Sequence, residues 1–329
     1  MCRLHRLLLL SALAITATDA NAEWYKADRA IMGTEVSVEL WHDDITHAEL
    51  CAEQVFTEMR RIDALMSPFK PDSELSRINT QAADGPVIIS NELFALIKES
   101  LKYSELSSGA FDITFSSVGY LYDYRERKNP SDEVIHKLLP AINYHHLLLD
   151  EKNHSIRFSM QGTRIDLGGI AKGYAIDNAV TILKSCGIEH AFVKAGGDSY
   201  ILGDRSGQPW MLGIQHPRQQ DKVVVRLPLS NVAVSTSGDY ERFFIENGER
   251  IHHIISPKTG KSATGNWSTT VIGDNATTTD ALSTTLFILD LKSAMALVDK
   301  LPGIDAIIID AQGEMHYSKG LMDPAEVTH

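Results

Sequence analysis

The residues best suited to chemistry in this chain carry oxygens. In the run TTTDALSTT, Asp280 and Thr284 stand four positions apart, so on a helix their side chains lie one above the other, with Ser283 beside them. A carboxylate and hydroxyls so placed can hold a hard cation. Magnesium prefers oxygen ligands and keeps positions open for water and substrate phosphate. The same residues also read as a helix start, with Asp280 favoured by the helix dipole and the threonine hydroxyls capping the first turn. A second segment, DLGGIAKGYAIDNA, is expected to put Asp166 at a strand end, Gly168 and Gly169 in a tight turn, and Lys172 in the first turn of a helix. Such a turn exposes backbone groups to phosphate or metal; its alternative is a plain glycine turn with a solvated lysine.

Other site chemistries find no support. There is no GxxxxGK[ST] loop, and no GxGxxG follows a strand. The pairs His145-His146 and His252-His253 would point to opposite faces if they lie on strands, and CxxC and HExxH are absent, which argues against zinc. His145 and His146 read as ordinary surface or packing residues.

Positioning the oxygen groups takes a mixture of elements. Residues 34–40 alternate like a half-buried strand, whereas 48–66 place Val55, Met59, Ile62 and Met66 at helical spacing. A helix follows Ser90, which can cap it. Residues 147–158 form two short strands around Glu151-Lys152-Asn153, and Asn247-Gly248 turns a hairpin. Residues 171–186 are helical up to Gly187, and 276–289 form another helix after the loop at Gly273-Asp274-Asn275. The second half is richer in strands and the alternation is not strict. The fold class is therefore α+β rather than a doubly wound sheet.

At the N-terminus, Arg3 and Arg6 precede an apolar run over residues 7–15, and a polar stretch leads to Ala20-Asn21-Ala22. This is the order of a cleavable export signal, so residues 1–22 are expected to be removed and 23–329 to form the working domain, acting in the periplasm or peripherally at the inner membrane. The apolar run is shorter than the about 20 residues a membrane span needs. The formal net charge is -12, and losing residues 1–22, with two Arg and one Asp, makes it -13. So acidic a surface does not suit nucleic acid or anionic lipid, and a phosphate site must use a metal, backbone amides or a single lysine. Cys51 and Cys186 remain, too few for a disulfide framework. Stability must come from a core, for which 43% hydrophobic content is sufficient.

Taken together, several segments resemble the ApbE family of FAD:protein FMN transferases, over nearly the whole of the mature chain. They are IMGTEVSVEL (31–40), MSPFKPDSELSRIN (66–79), SSGAFDITFSSVG (107–119), RIDLGGIAKGYAID (164–177), VKAGGDSYILG (193–203), VSTSGDYERFF (234–244), HHIISPKTG (252–260) and TTDALSTTLFIL (278–289), in family order. The resemblance implies an exported enzyme of two lobes around a flavin cleft. It would cleave the FAD pyrophosphate, release AMP and attach FMN through its phosphate to a Thr or Ser hydroxyl of a target protein. It implies an FAD site lined by Met32, Phe69, Ala110, Phe111, Asp112, Asp166, Lys172 and Ile254, with Phe69 and Phe111 offering apolar faces. It implies a Mg²⁺ position formed by the carbonyl of Gly169 with Asp280, Ser283 and Thr284, and a proton-accepting His253. Two positions depart from the family pattern: Ser283 and Ser256 stand where Asp is usual. The first shifts a metal contact towards water, and the second removes a carboxylate from the neighbourhood of His253. The implied acceptors are exported or membrane-bound redox flavoprotein subunits such as those of Rnf or Nqr type, and a homodimer is expected as an option.

An exported FAD-binding protein or FAD pyrophosphatase would use the same cleft. A remoter rival is a penicillin-recognising serine enzyme, since Ser67-Pro68-Phe69-Lys70 matches SxxK and Lys258-Thr259-Gly260 matches KTG. That family's SxxK begins a helix, whereas here it follows one, and the middle SxN element is replaced by Ser131-Asp132-Glu133. A fluorescent β-lactam is accordingly expected to leave the protein unlabelled on a denaturing gel, and stoichiometric acylation would reinstate the rival.

Overall fold

A computed structural model describes residues 23–322. The expected export signal at 1–22 and Cys2 lie outside them. The frame is an eight-stranded sheet, antiparallel throughout, whose spatial order follows the chain. Its strands are β1 (Glu23–Ile31), β2 (Thr34–His42), β3 (Ala191–Ala195), β4 (Asp198–Leu202), β5 (Val232–Gly238), β6 (Asn266–Gly273), β7 (Asp305–Asp310) and β8 (Met315–Tyr317). The alternation expected in β2 buries Val36, Val38 and Leu40 completely, opposite Ala195, Val193 and Ala191 of β3. Each such side chain contributes about 1.5–3 kcal/mol by burial.

Helices fill the long connections and pack side by side. Helix α1 (Ile45–Met66) lies against β1 and β2, α3 (Ala171–Ser185) against β3 and β4, and α4 (Ala276–Ile288) against β5 and β6. Helix α1 starts earlier than its apolar pattern because Asp44 caps it, accepting from the Thr46 and His47 amides; its buried face includes Val55, Met59, Ile62 and Met66 as expected. Helix α2 (Asn91–Leu106) is capped by Ser90, and it belongs to the β2–β3 excursion together with a small sheet of Val87–Ile88, Ser155–Phe158 and Leu147–Asp150. The excursion between β5 and β6 is the hairpin Phe243–Glu246/Glu249–His252, turned at Asn247 and Gly248 with φ of 50° and 84°. Both residues are in the left-handed region that this two-residue turn demands. Among the described residues, no helix is long and apolar enough to cross a membrane.

One local expectation is corrected, and one condition does not arise. Asp166 does not end a strand: residues 163–167 run without a ladder. The Asn79 side chain instead accepts from the Ile165 amide (2.7 Å) and donates to its carbonyl (2.8 Å), and the Asp166 amide donates to Ile113 O (2.9 Å). His145 and His146 lie in a 3₁₀ turn, not on strands, and the His146 ring is held by Ser159 Oγ (3.0 Å) and Pro140 O (3.1 Å). His145 is exposed, its ring beside that of Tyr144, so the pair reads as surface residues as expected.

Helices α3 and α4 cross unusually closely. Asp177 of α3 accepts from the Ala276 amide (2.7 Å), the Thr277 amide (2.8 Å) and the Thr277 hydroxyl (2.5 Å), satisfying the open start of α4. The contact depends on Gly173, where a Cβ would stand 2.1 Å from Ala276 O. Gly173→Ala should therefore lower stability by about 2 kcal/mol or more, read as a fall in melting temperature of several degrees. An unchanged melting temperature would show that the helices can part freely.

Candidate active site

The close crossing brings distant ionisable groups together. Lys172, in the first turn of α3, donates through Nζ to Asp198 Oδ2 (2.5 Å) at the start of β4, and lies 3.2 and 3.3 Å from the two carboxylate oxygens of Asp280 on α4. The Gly173 amide donates to Asp280 Oδ2 (3.0 Å). Both carboxylates are almost wholly buried, whereas the lysine side chain is a quarter exposed. Burial opposes the Lys172 ammonium, but Asp198 and Asp280 more than reverse that, so its pKa lies above the ordinary value. Asp280 is pushed well above the usual carboxylate range, first by burial and then by Asp198. The two shifts are compatible because two carboxylates share one ammonium.

Hydroxyls line the same place. On β5, Ser235 and Ser237 face α4: Ser235 Oγ meets Thr279 Oγ1 at 2.8 Å, and Ser237 Oγ meets Ser283 Oγ at 2.9 Å and Thr284 Oγ1 at 3.3 Å. Two residues of strand and four of helix advance about the same distance, roughly 6–7 Å, which is why both pairs form. Ser283 is fully buried and donates to Asp280 O (2.9 Å), while Thr284 is partly open. Gly169 sits over Thr284, and a Cβ there would be 3.3 Å from Thr284 Oγ1 and 3.2 Å from the Phe111 ring. This oxygen-only set, with more negative than positive charge, fits a hard divalent cation.

A second group faces the first. Asp166 accepts from the Gly168 amide (2.7 Å); burial raises its pKa, opposed by that bond, Arg242 and Lys172. Arg242 donates to Gly33 O (2.7 Å) in the β1–β2 turn, which holds Met32 at φ 54°, and its own carbonyl accepts from the His253 amide (3.2 Å). His253 is partly exposed as a residue, yet its Nδ1 is shut off from solvent and has no partner. Burial, then His252, Arg242 and Lys172, lower its pKa to about 3. Its neighbour His252 is spent on structure, buried with Nε2 2.8 Å from Ala263 O and its ring edge-on to Phe287.

The other expected site residues differ in availability. Phe69 is 85% exposed, a bare aromatic face. Phe111 is 3% exposed and packs edge-on to Tyr103, so its ring belongs to the core and offers no free face. Asp112 is buried and occupied, accepting from the Thr114 amide and hydroxyl and the Tyr144 amide. Ala110, just before Phe111, is partly open, and Ile254 is buried against Ala263 and Phe287. Asp198, Ser237 and Arg242 are site members that residue spacing did not single out, although each lies inside a segment quoted above. Gly196-Gly197 immediately before Asp198 was the available signal. The serine-enzyme rival fails on geometry: Ser67 caps the end of α1, and Lys70 pairs with Asp63 at 2.6 Å. A cavity lined by Tyr103, Thr278 and Leu282 lies by the opposite face of α4 and holds none of these site residues.

The architecture is thus an α+β protein with an acidic, hydroxyl-lined centre joined to an unpartnered imidazole. The profile of the ApbE family matches residues 32–308, and the chain belongs to the ApbE family. It is 29% identical to the FAD:protein FMN transferase of Treponema pallidum, over 94% of this chain and 90% of that protein, and 27% identical to that of Vibrio cholerae, over 88% and 89%. Its fold matches the crystal structure of the ApbE protein of Thermotoga maritima with a TM-score of 0.84 at 36% identity, covering 91% of this chain and 98% of that one. For the flavin transferase ApbE of Vibrio cholerae the TM-score is 0.81 at 25% identity, covering 92% and 99%.

His253 gives the site a pH signature. Its folded pKa lies below its unfolded one, so the unfolded chain binds more protons between the two. The stability contributed by the neutral ring is complete above the unfolded value of about 6.5 and is lost as pH falls towards the folded value. Between pH 7 and pH 5, wild type should lose about 1–2 kcal/mol more stability than His253→Gln, as read by chemical denaturation. Parallel pH profiles would show that the ring is not buried in its neutral form.

Proposed function

We propose that this chain is an FAD:protein FMN transferase, which takes FMN from FAD, attaches it through a phosphoester to a Thr or Ser hydroxyl of a target protein, and releases AMP. One observation carries the reading: family segments far apart in the chain gather around Lys172, with Asp166, Asp198, His253 and Asp280 facing it and the Ser237–Thr284 hydroxyl pair beside Asp280. Asp280, Thr284 and the Gly169 carbonyl would hold Mg²⁺, with Ser283 linked behind them through Ser237. Bound there, Mg²⁺ would screen the pyrophosphate charge and stabilise the leaving AMP. Lys172 supplies a fixed positive charge beside the phosphates, and Phe69 offers its exposed ring to a flavin or adenine. His253 accepts the proton of the acceptor hydroxyl. Its basicity is low chiefly because it is buried, with His252, Arg242 and Lys172 adding to the effect, and a bound pyrophosphate would offset the two cations and raise it. No carboxylate partners its Nδ1, in keeping with Ser at position 256.

Exported or membrane-bound redox subunits of Rnf or Nqr type are the acceptors to test first, and the N-terminal signal is what supports a periplasmic site of action for residues 23–329. Protein, FAD and Mg²⁺ incubated with such a subunit should give a covalently fluorescent acceptor band on a denaturing gel. AMP release without a band would favour hydrolysis instead. Asp280→Ala should abolish transfer at every Mg²⁺ concentration. His253→Ala should lower kcat by about 10²–10⁴-fold while FAD still binds, and an unchanged rate would remove the histidine from the chemistry.

A further inference from the structure

Far from the cleft, the only two cysteines of the described chain lie together. Cys51 is on α1 and Cys186 closes the end of α3, two helices that pack along each other. Their sulfurs and a ring nitrogen of His47 all lie within 4.8 Å of one another, with Nε2 3.5 Å from Cys51 Sγ. Cys51 is 1% exposed, whereas Cys186 is half-buried, its sulfur 3.9 Å from Gln54 Oε1. A soft metal ion and a disulfide are the two chemistries such a cluster allows. The metal is disfavoured by His47. Its Nε2 stands 2.8 Å from Cys186 O, and a carbonyl only accepts, so that nitrogen carries the proton and presents no lone pair to the sulfurs. Burial, and then the Cys186 sulfur beside it, push the Cys51 thiol up to about 12, so a lasting thiolate is costly there. A neutral disulfide suits the same apolar position.

We propose that Cys51 and Cys186 form a redox-responsive disulfide that staples α1 to the end of α3, with a disulfide of low molecular weight or of a thiol–disulfide oxidoreductase as the oxidant. The more accessible Cys186, as thiolate, attacks the oxidant disulfide, forming a mixed disulfide and releasing one thiol. Cys51, its proton lost to solvent, then attacks the Cys186 sulfur and releases the second thiol. Two protons and two electrons leave the protein, and the oxidant disulfide becomes two thiols. The bond would close the long chain segment from α1 to α3, which includes the whole excursion carrying Phe69, Phe111 and Asp166. It does not depend on the flavin-transfer reading.

The test uses the full chain equilibrated with glutathione disulfide, alkylated, and digested without reduction. Mass spectrometry should find a peptide pair joining Cys51 to Cys186 that disappears on reduction and is missing from Cys51→Ser. Reduction should lower the melting temperature of the oxidised wild type by about 5 °C and leave Cys51→Ser unmoved. Three results would overturn the proposal: both thiols still alkylated, either cysteine joined only to Cys2 or to glutathione, or a bound zinc or copper ion shielding the pair. Failure of flavin transfer would leave the peptide result untouched, so the two ideas stand or fall separately.

Discussion

Two buried carboxylates, Asp198 and Asp280, share the single ammonium of Lys172, and much of the structure follows from meeting that condition. Removing such charges from water costs several kcal/mol each unless partners replace the lost hydration. Lys172 neutralises one carboxylate and the Gly173 amide supports the other; burial and the nearby Asp198 charge keep the Asp280 pKa raised. Helices α3 and α4 must approach closely enough for one lysine to reach both strand and helix. Gly173 allows that approach and Asp177 fastens it.

The sheet supplies the complementary constraint. Because its strands follow chain order, each long connection can carry a separate piece of the site: Asp166 before α3, Arg242 and His253 at the base of the hairpin between β5 and β6, Asp280 and Thr284 on α4. The period of β5 aims Ser235 and Ser237 at successive turns of α4, so the hydroxyl contacts that set Thr284 in place also set the depth of the helix on the sheet. Site geometry and core packing are thus the same contacts.

How much was legible in the sequence depended on the range of the interaction. Local signals sufficed for α1, for the Ser90 cap, for the Asn247-Gly248 hairpin and for α3 and α4, because capping residues, turn dipeptides and apolar spacing act within a few positions. That Asp280, Ser283 and Thr284 lie on one side of α4 could be read from helical spacing alone. Asp166 was misplaced because Asn79, far away in sequence, replaces a strand neighbour with its side-chain amide, a substitution no periodicity reveals. Lys172 read equally well as solvated, since only the fold brings Asp198 and Asp280 to it. Phe111 and Phe69 are alike as residue types, yet one is core and the other bare surface. That difference belongs to tertiary packing.

If the uncompensated charge at Asp280 is what recruits the cation, binding of Mg²⁺ must depend on it even when no flavin is turned over. Calorimetric titration of Mg²⁺ into wild type and Asp280→Asn, beside their melting temperatures without metal, tests this most directly. Wild type should bind a single ion saturably and gain stability from it. Asp280→Asn should bind none, and without metal it should be at least as stable as wild type, having lost a buried charge that lacked a full partner. Equal Mg²⁺ binding by both proteins would contradict the central role given to the shared ammonium.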